Sequence, residues 1–345
     1  MKRKSSLLSV FGLLVGMLLL WPSASSAQQP IELSLNLMTP PTHMRNTTII
    51  LPWIKMVEER TKGAVKIKPY YSSTLCPVQE SFDNTASGVV DISESYTFGV
   101  PGRFALSETL MIPEMGYPTS LTASRALWHL YKTFPEVRKE YEGVKMLWLM
   151  ATPSAKLNTK KKAVKTLEDL KGMKIAVSGS TMVKVGTALG LSPVTMSTND
   201  LYEAADKGVI DGFVRPVELL VARKLAEVAK YVTEVDLGHD LFFVVMNQKK
   251  WDSLSPDVQK VFNELSGEYM VDFSGKAWDK FDNEAATEVK GKGIQFITLP
   301  AQEHAKWVAR LTPIKDEYAK ELEAKKLPGK KILDDLKKFA AQPSK

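Results

Sequence analysis

The stretch Leu170–Thr181, "LKGMKIAVSGST", decides the fold. It reads as the end of a helix, a short strand, and a small polar run that opens another helix. A strand that feeds a helix N-terminus is where an open α/β sheet holds a small anion. The first amides of the helix have no acceptor within it, and its dipole adds a positive field. The middle residue of this strand is Ala176, which brings no charge of its own.

Working outward, the same strand–helix logic recurs. On the N-terminal side, "IELSLNLMTP" (Ile31–Pro40) alternates apolar and polar residues and predicts a strand, ended by a loop through Pro40 and Pro41. A helix is expected over Thr48–Thr61, closed by Gly63. "AVKIKPYY" is a second strand, "SFDNTASG" a short helix ending at Gly88, and "VVDISES" a third strand. This β-α-β-α-β order is the mark of a mostly parallel sheet. A Gly/Pro-punctuated loop (Tyr96–Leu106), a helix over Leu121–Thr133 and the strand "VKMLWLMAT" complete the first half. On the C-terminal side, Thr198 or Asn199 is expected to cap a helix that Gly208 ends, with a strand over Val209–Phe213. "LFFVVMNQ" is one more strand. Ser255 as N-cap and Pro256 at the first helical position open a helix expected to run past 30 residues, to about Lys290. In front of the opening stretch, Thr166 and Asp169 resemble a capping pair for a helix of one to two turns.

The N-terminus has the form of a signal peptide. Lys2, Arg3 and Lys4 precede an apolar run from Leu7 to Leu20, and Ser25 and Ala27 sit at −3 and −1 of a cut before Gln28. Cleavage leaves 318 of the 345 residues and lowers the formal net charge from +7 to +4. The run is too short for a comfortable membrane span and no second one follows, so the mature chain is not expected to span a membrane. The small basic surplus is spread out, with no basic and aromatic stripe for nucleic acid. The single cysteine, Cys76, excludes an internal disulfide and a cysteine-based zinc site.

The motifs of common enzymes are missing: no G-x-S-x-G elbow, Walker loop, G-x-G-x-x-G or H-E-x-x-H. The four histidines have no metal-ligand spacing, and no cofactor is called for. Asp83, Thr85, Ser87, Gly88, Asp91 and Glu94 fit the spacing of a calcium loop, but strand rather than helix follows Gly88. What remains is a set of strand ends and following loops: Thr42 and His43, Glu94 to Tyr96, Ser154 to Lys156, Ser178 to Thr181, and Phe213 to Arg215. Arg215 ends the apolar strand "VIDGFVRP" just before a proline, where a guanidinium can grip a carboxylate with two parallel hydrogen bonds. Tyr96 and Phe213 are candidates to stack on an apolar ligand body, and Arg103 in "PGRF" is a further basic candidate. A core role for Phe213 and a loop-pinning role for Arg103 stand beside these.

"KTLEDLKGMKIAV", "LGLSPVTMSTNDLYEAADKGVIDG" and "LFFVVMNQKKWDSLSPDVQKVF" together resemble the solute-binding proteins of TRAP (tripartite ATP-independent periplasmic) transporters, the DctP-like family. "ASGVVDISESYTFGVPGRFALSETLMIP" resembles the family's first-lobe segment. The resemblance implies an α/β, type II periplasmic binding fold: two α/β lobes joined by hinge strands, with a long helix spanning both. Lobe I is expected over 28–153 and 242–282, lobe II over 154–241 and 283–320, and a C-terminal helical tail over 321–345. It implies a periplasmic protein that does no chemistry, captures a small organic acid between its lobes, and hands it to the small and large permease subunits in the membrane. Family members usually read K-I-R in the opening strand, and that arginine pairs with the ligand carboxylate; this chain has Ala176 there. Arg215 stands where an asparagine is common, and Lys156 where some members carry a second basic residue. The expectation is that the anchor has moved to Arg215 helped by Lys156, with Ala176 leaving room for ligand bulk. The rival is a neutral or cationic ligand held by Glu94, Tyr96 and Ser178. A ligand sensor that presents its solute to a membrane receptor would use the same site.

Overall fold

The computed structural model describes residues 29–100 and 102–342. The signal peptide read over residues 1–27 lies outside them. Among the described residues, eleven strands form two sheets. The first holds β1 (Ile31–Asn36), β2 (Val65–Tyr70), β3 (Ile92–Tyr96), β4 (Val144–Ala151) and β10 (Leu241–Asn247), in the order β2-β1-β3-β10-β4. β1 is parallel to β2 and β3, as βαβ units require, while β10 runs antiparallel between β3 and β4. The second holds β5 (Lys156–Thr159), β6 (Lys174–Val177), β7 (Ser192–Thr195), β8 (Gly212–Arg215), β9 (Tyr231–Glu234) and β11 (Gln295–Thr298), in the order β11-β9-β5-β8-β6-β7. β6 is parallel to both β7 and β8.

Two segments cross between the sheets, 152–155 outward and 237–240 on the return. They bond to each other: the Thr152 amide donates to Asp240 O (2.9 Å) and the Ala155 amide to Gly238 O (2.8 Å). Gly238 sits here at φ 88°, and a Cβ on it would lie 2.1 Å from the Met111 carbonyl oxygen. Only glycine fits that approach. Both ring nitrogens of buried His239 face carbonyls, Thr152 O at 2.8 Å and Tyr117 O at 2.9 Å.

The helix Glu268–Gly291 ties the halves together through two carboxylates one turn apart. Asp279 accepts from the amides of Ser120 (2.7 Å) and Leu121 (3.1 Å), at the start of the first-half helix Ser120–Thr133. Asp282 accepts from the Glu218 amide (2.9 Å) at the start of the second-half helix Glu218–Ala222. Carboxylates at helix N-termini satisfy free amides and favour the dipole. Beneath the first sheet, Trp53 and Trp148 meet edge to face at 4.9 Å, and the Trp53 indole donates to Leu265 O (2.9 Å). The last helix, Gly329–Ala340, folds back onto the first half, where Tyr117 donates to Leu336 O (2.7 Å).

Several expectations need correction. The helix opened by Ser255 ends at Glu264, and the long helix starts separately at Glu268. Between them Gly267 adopts φ 55°, ψ −132°, which a helix cannot contain, and its amide donates to Leu147 O (2.7 Å) in β4. The strand expected over Val209–Phe213 begins only at Gly212, because the Val209 amide still closes the preceding helix on Ala204 O (2.8 Å). Ser197, not Thr198 or Asn199, supplies the capping oxygen. Thr166 caps nothing; Asp169 reaches back to the amides of Lys165 and Thr166, around a single 3-10 turn. The helix expected from Thr48 starts as a π-helical turn at Asn46. Of the residues with calcium-loop spacing, Asp83, Thr85 and Ser87 lie in the helix Ser81–Ser87 and Glu94 in β3, with only Gly88 and Asp91 in the turn between, so they form no single loop.

Candidate functional site

Because β6 and β8 are parallel neighbours, Ser178 and Arg215 emerge side by side at their C-terminal ends. β1 and β3 do the same for the loops on the opposite wall. The result is a cleft of about 640 Å³ between the two halves, within the usual range for small-ligand sites. Thr152 and Asp240 from the crossing segments and Trp278 from the long helix also line it.

On the first-half wall, Asn46 clasps the loop after β1, donating to Thr39 Oγ1 (3.0 Å) and Pro40 O (2.8 Å). This turns Arg45 inward. Arg45 is 2% exposed, with Nε 2.7 Å from Glu94 Oε1 and its guanidinium 4.5 Å over the Phe242 ring. Burial pushes the Glu94 carboxyl up, and Arg45 opposes that. His43 is held neutral, its pKa lowered to about 3 by burial and then by Arg45 and Arg223. Its Nδ1 accepts from the Arg45 amide (3.2 Å), which leaves the proton on Nε2. Tyr96 and Phe98 stack at 4.1 Å with 9° between their planes, giving this wall a flat aromatic face.

On the second-half wall, the helix Gly179–Ala188 points its N-terminus at the cleft, with no side chain capping its first amides. Arg215 beside it is 3% exposed. Its Nη1 donates to Val214 O (2.6 Å), and among the described residues no carboxylate lies within the 4.0 Å of an ion pair. Burial lowers its pKa, with Asp240 opposing at longer range. Arg223, after the helix Glu218–Ala222, also lines the cleft, and its buried Nε has no hydrogen-bond partner among the described residues. Glu218 is 2% exposed, with Oε2 unpartnered among the described residues. Burial and then Asp282 push its pKa up to about 8, so at neutral pH it is an acid that can donate.

Of the residues picked out in the sequence, the fold brings Arg215, Tyr96, His43 and Ser178 together on this cleft. The others lie elsewhere. Glu94 is fully buried behind Arg45. Phe213 is fully buried in the second-half core with Leu201 and Leu220. Arg103 pairs with Asp83 (3.0 Å) over the Phe82 ring. Lys156 is in register with Arg215 but does not line the cavity, and its charge acts on Asp282. Ala176 is also fully buried, in the same core cluster as Phe213, so it opens no room in the cleft. Arg45, Arg223, Glu218 and Asp240 were not singled out. Arg45 lies two residues past His43 in the same loop, which is the one signal the sequence offered.

Two α/β halves, two crossing segments, a helix bonded to both and a cationic cleft between them define a two-lobed solute-binding protein. Residues 36–321 match the family described as bacterial extracellular solute-binding protein, family 7 (DctP). The chain belongs to this family and is a DctP-like TRAP solute-binding protein. It is 26% identical over 327 residues to the outer membrane transporter protein TsaT of Comamonas testosteroni, covering 93% of this chain and 94% of that one. Its structure is similar to a TRAP solute-binding protein of an unidentified marine microbe, crystallised with 3-hydroxybenzoate (TM-score 0.86, 26% identity, 92% and 100% covered). It is likewise similar to one from Bordetella bronchiseptica with bound (R)- and (S)-mandelate (TM-score 0.81, 27% identity, 90% and 99% covered).

Proposed function

We propose that this protein is the periplasmic receptor of a TRAP uptake system and that its cargo is a small organic acid. The observation that carries the reading is Arg215: a buried guanidinium with no ion-pair partner among the described residues, beside an uncapped helix N-terminus, in the cleft between the lobes. A buried cation is costly unless an anion meets it. The aromatic wall of Tyr96 and Phe98 suits an acid with a flat body, and the related proteins that hold 3-hydroxybenzoate and mandelate support the same class. A cationic cargo is disfavoured because Glu94, its intended partner, is already engaged by Arg45.

Each lobe holds part of the site, so ligand contacts to both favour the closed form. Closure buries the acid and makes the surface that the permease subunits recognise. The first 27 residues are removed on export, and the protein does no chemistry on its cargo. The test is the thermal stability of the mature protein against small acids, neutral polyols and amines, since a bound ligand raises the melting point by mass action. Stabilisation by acids is the expected result. Stabilisation by polyols or amines alone overturns the acid reading.

A further inference from the structure

The cleft has two cationic ends. Arg215 also lines a small inner recess with Ser178, Met182 and Asp240, which Arg223 and His43 do not reach. Arg223 belongs with the opposite group. Its charge acts on His43 and Glu218, while the charge of Arg215 acts on Asp240. Neither arginine has a carboxylate within ion-pair distance among the described residues, whereas Arg45 is answered by Glu94. The Arg223 end gathers three groups able to donate to an oxygen anion: the Arg223 guanidinium, the Nε2–H of neutral His43, and the carboxyl of buried Glu218, whose Oε2 has no partner among the described residues. The stacked pair Tyr96–Phe98 lines the same cavity as both ends.

Resting on the acid reading above, we propose that the ligand carries two acidic groups on a flat apolar body. One meets Arg215 and the helix N-terminus at Gly179. The other meets Arg223, Glu218 and His43, and the body lies along Tyr96 and Phe98. A single carboxylate satisfies one unpaired arginine and leaves the other unanswered. A second acidic group answers both, and the rigid ring between them sets the spacing without loss of chain entropy.

Calorimetric titration of wild-type mature protein with benzoate, terephthalate and succinate tests this. Terephthalate is expected to bind about 10- to 100-fold more tightly than benzoate, the size of one added charge-assisted contact. Succinate, with two charges but no ring, is expected to bind more weakly than terephthalate. Arg223→Ala is expected to bring terephthalate down to the level of benzoate, and a cooperative thermal melt of the unliganded variant shows that it is folded. Arg223→Lys is expected to keep part of the preference. Benzoate binding as tightly as terephthalate overturns the two-ended ligand and leaves the acid reading intact. Equal weakening of both acids by Arg223→Ala also overturns it, because both arginines then grip one carboxylate. A panel in which no acid binds overturns both readings.

Discussion

Arg45 and Arg215 face each other across one cleft and are almost equally buried, at 2% and 3% exposure. One has a carboxylate 2.7 Å away; the other has its neighbour's carbonyl and, among the described residues, nothing anionic within ion-pair range. The difference separates two uses of the same side chain. Arg45 is answered within the fold, so it shapes the wall and carries Phe242 beneath it. Arg215 is left for something that arrives. A buried pair is damaged by removing either partner, whereas a buried lone cation is relieved by its own removal.

The largest effect should come from breaking the paired side. Glu94→Ala strands Arg45 as a buried cation and should cost about 3–5 kcal/mol of stability in denaturant titrations. Retained stability would show that Arg45 reaches water and that the two arginines are alike after all. Next comes the hinge that sets the walls apart. Gly238→Ala places a methyl against the Met111 carbonyl at a positive φ and should cost about 1–3 kcal/mol, with weaker acid binding because the crossing segment must shift.

The pH dependence sharpens the contrast on the unpaired side. Glu218 is raised from 4.5 to about 8, and Glu108 and Glu140 from 4.5 to about 7. Above their ordinary values the folded chain keeps protons that the unfolded chain has released, so stability falls as pH rises. His43, lowered from 6.5 to about 3, works the other way, but only below pH 6.5. From pH 6.5 to about 8 His43 no longer opposes the acids, and denaturation midpoints should decline. Glu218→Gln should flatten that decline, and an unchanged slope would place the Glu218 carboxyl in water. The smallest effect belongs to Arg103→Ala. Its partly exposed pair with Asp83 should be worth about 0–1 kcal/mol, and acid affinity should not change.

Most of the framework was legible because local chemistry specified it. Gly88 does end its helix in the left-handed region, and Ser255 does cap the helix opened by Pro256. The break at Gly267 was not legible, because the amphipathic pattern runs on through it and only the contact with β4 explains it. The site was half legible. Strand ends announce themselves, so Arg215, Ser178 and Tyr96 could be picked out. Phe213 and Arg215 share one face of β8, yet Phe213 lies deep in the core while Arg215, at the strand end, reaches the cleft. Alternation along a strand does not report depth. Arg223 and Glu218 follow the strand rather than end it, and only the docking of the long helix through Asp282 brings them to the cavity.

The measurement closest to the central claim is the affinity of Arg215→Ala for benzoate, with the stability of the unliganded variant taken alongside. The expected result is binding weakened by about 10- to 100-fold in a protein at least as stable as wild type. Wild-type affinity in the variant would contradict it, and would mean that this buried arginine is not what holds the acid.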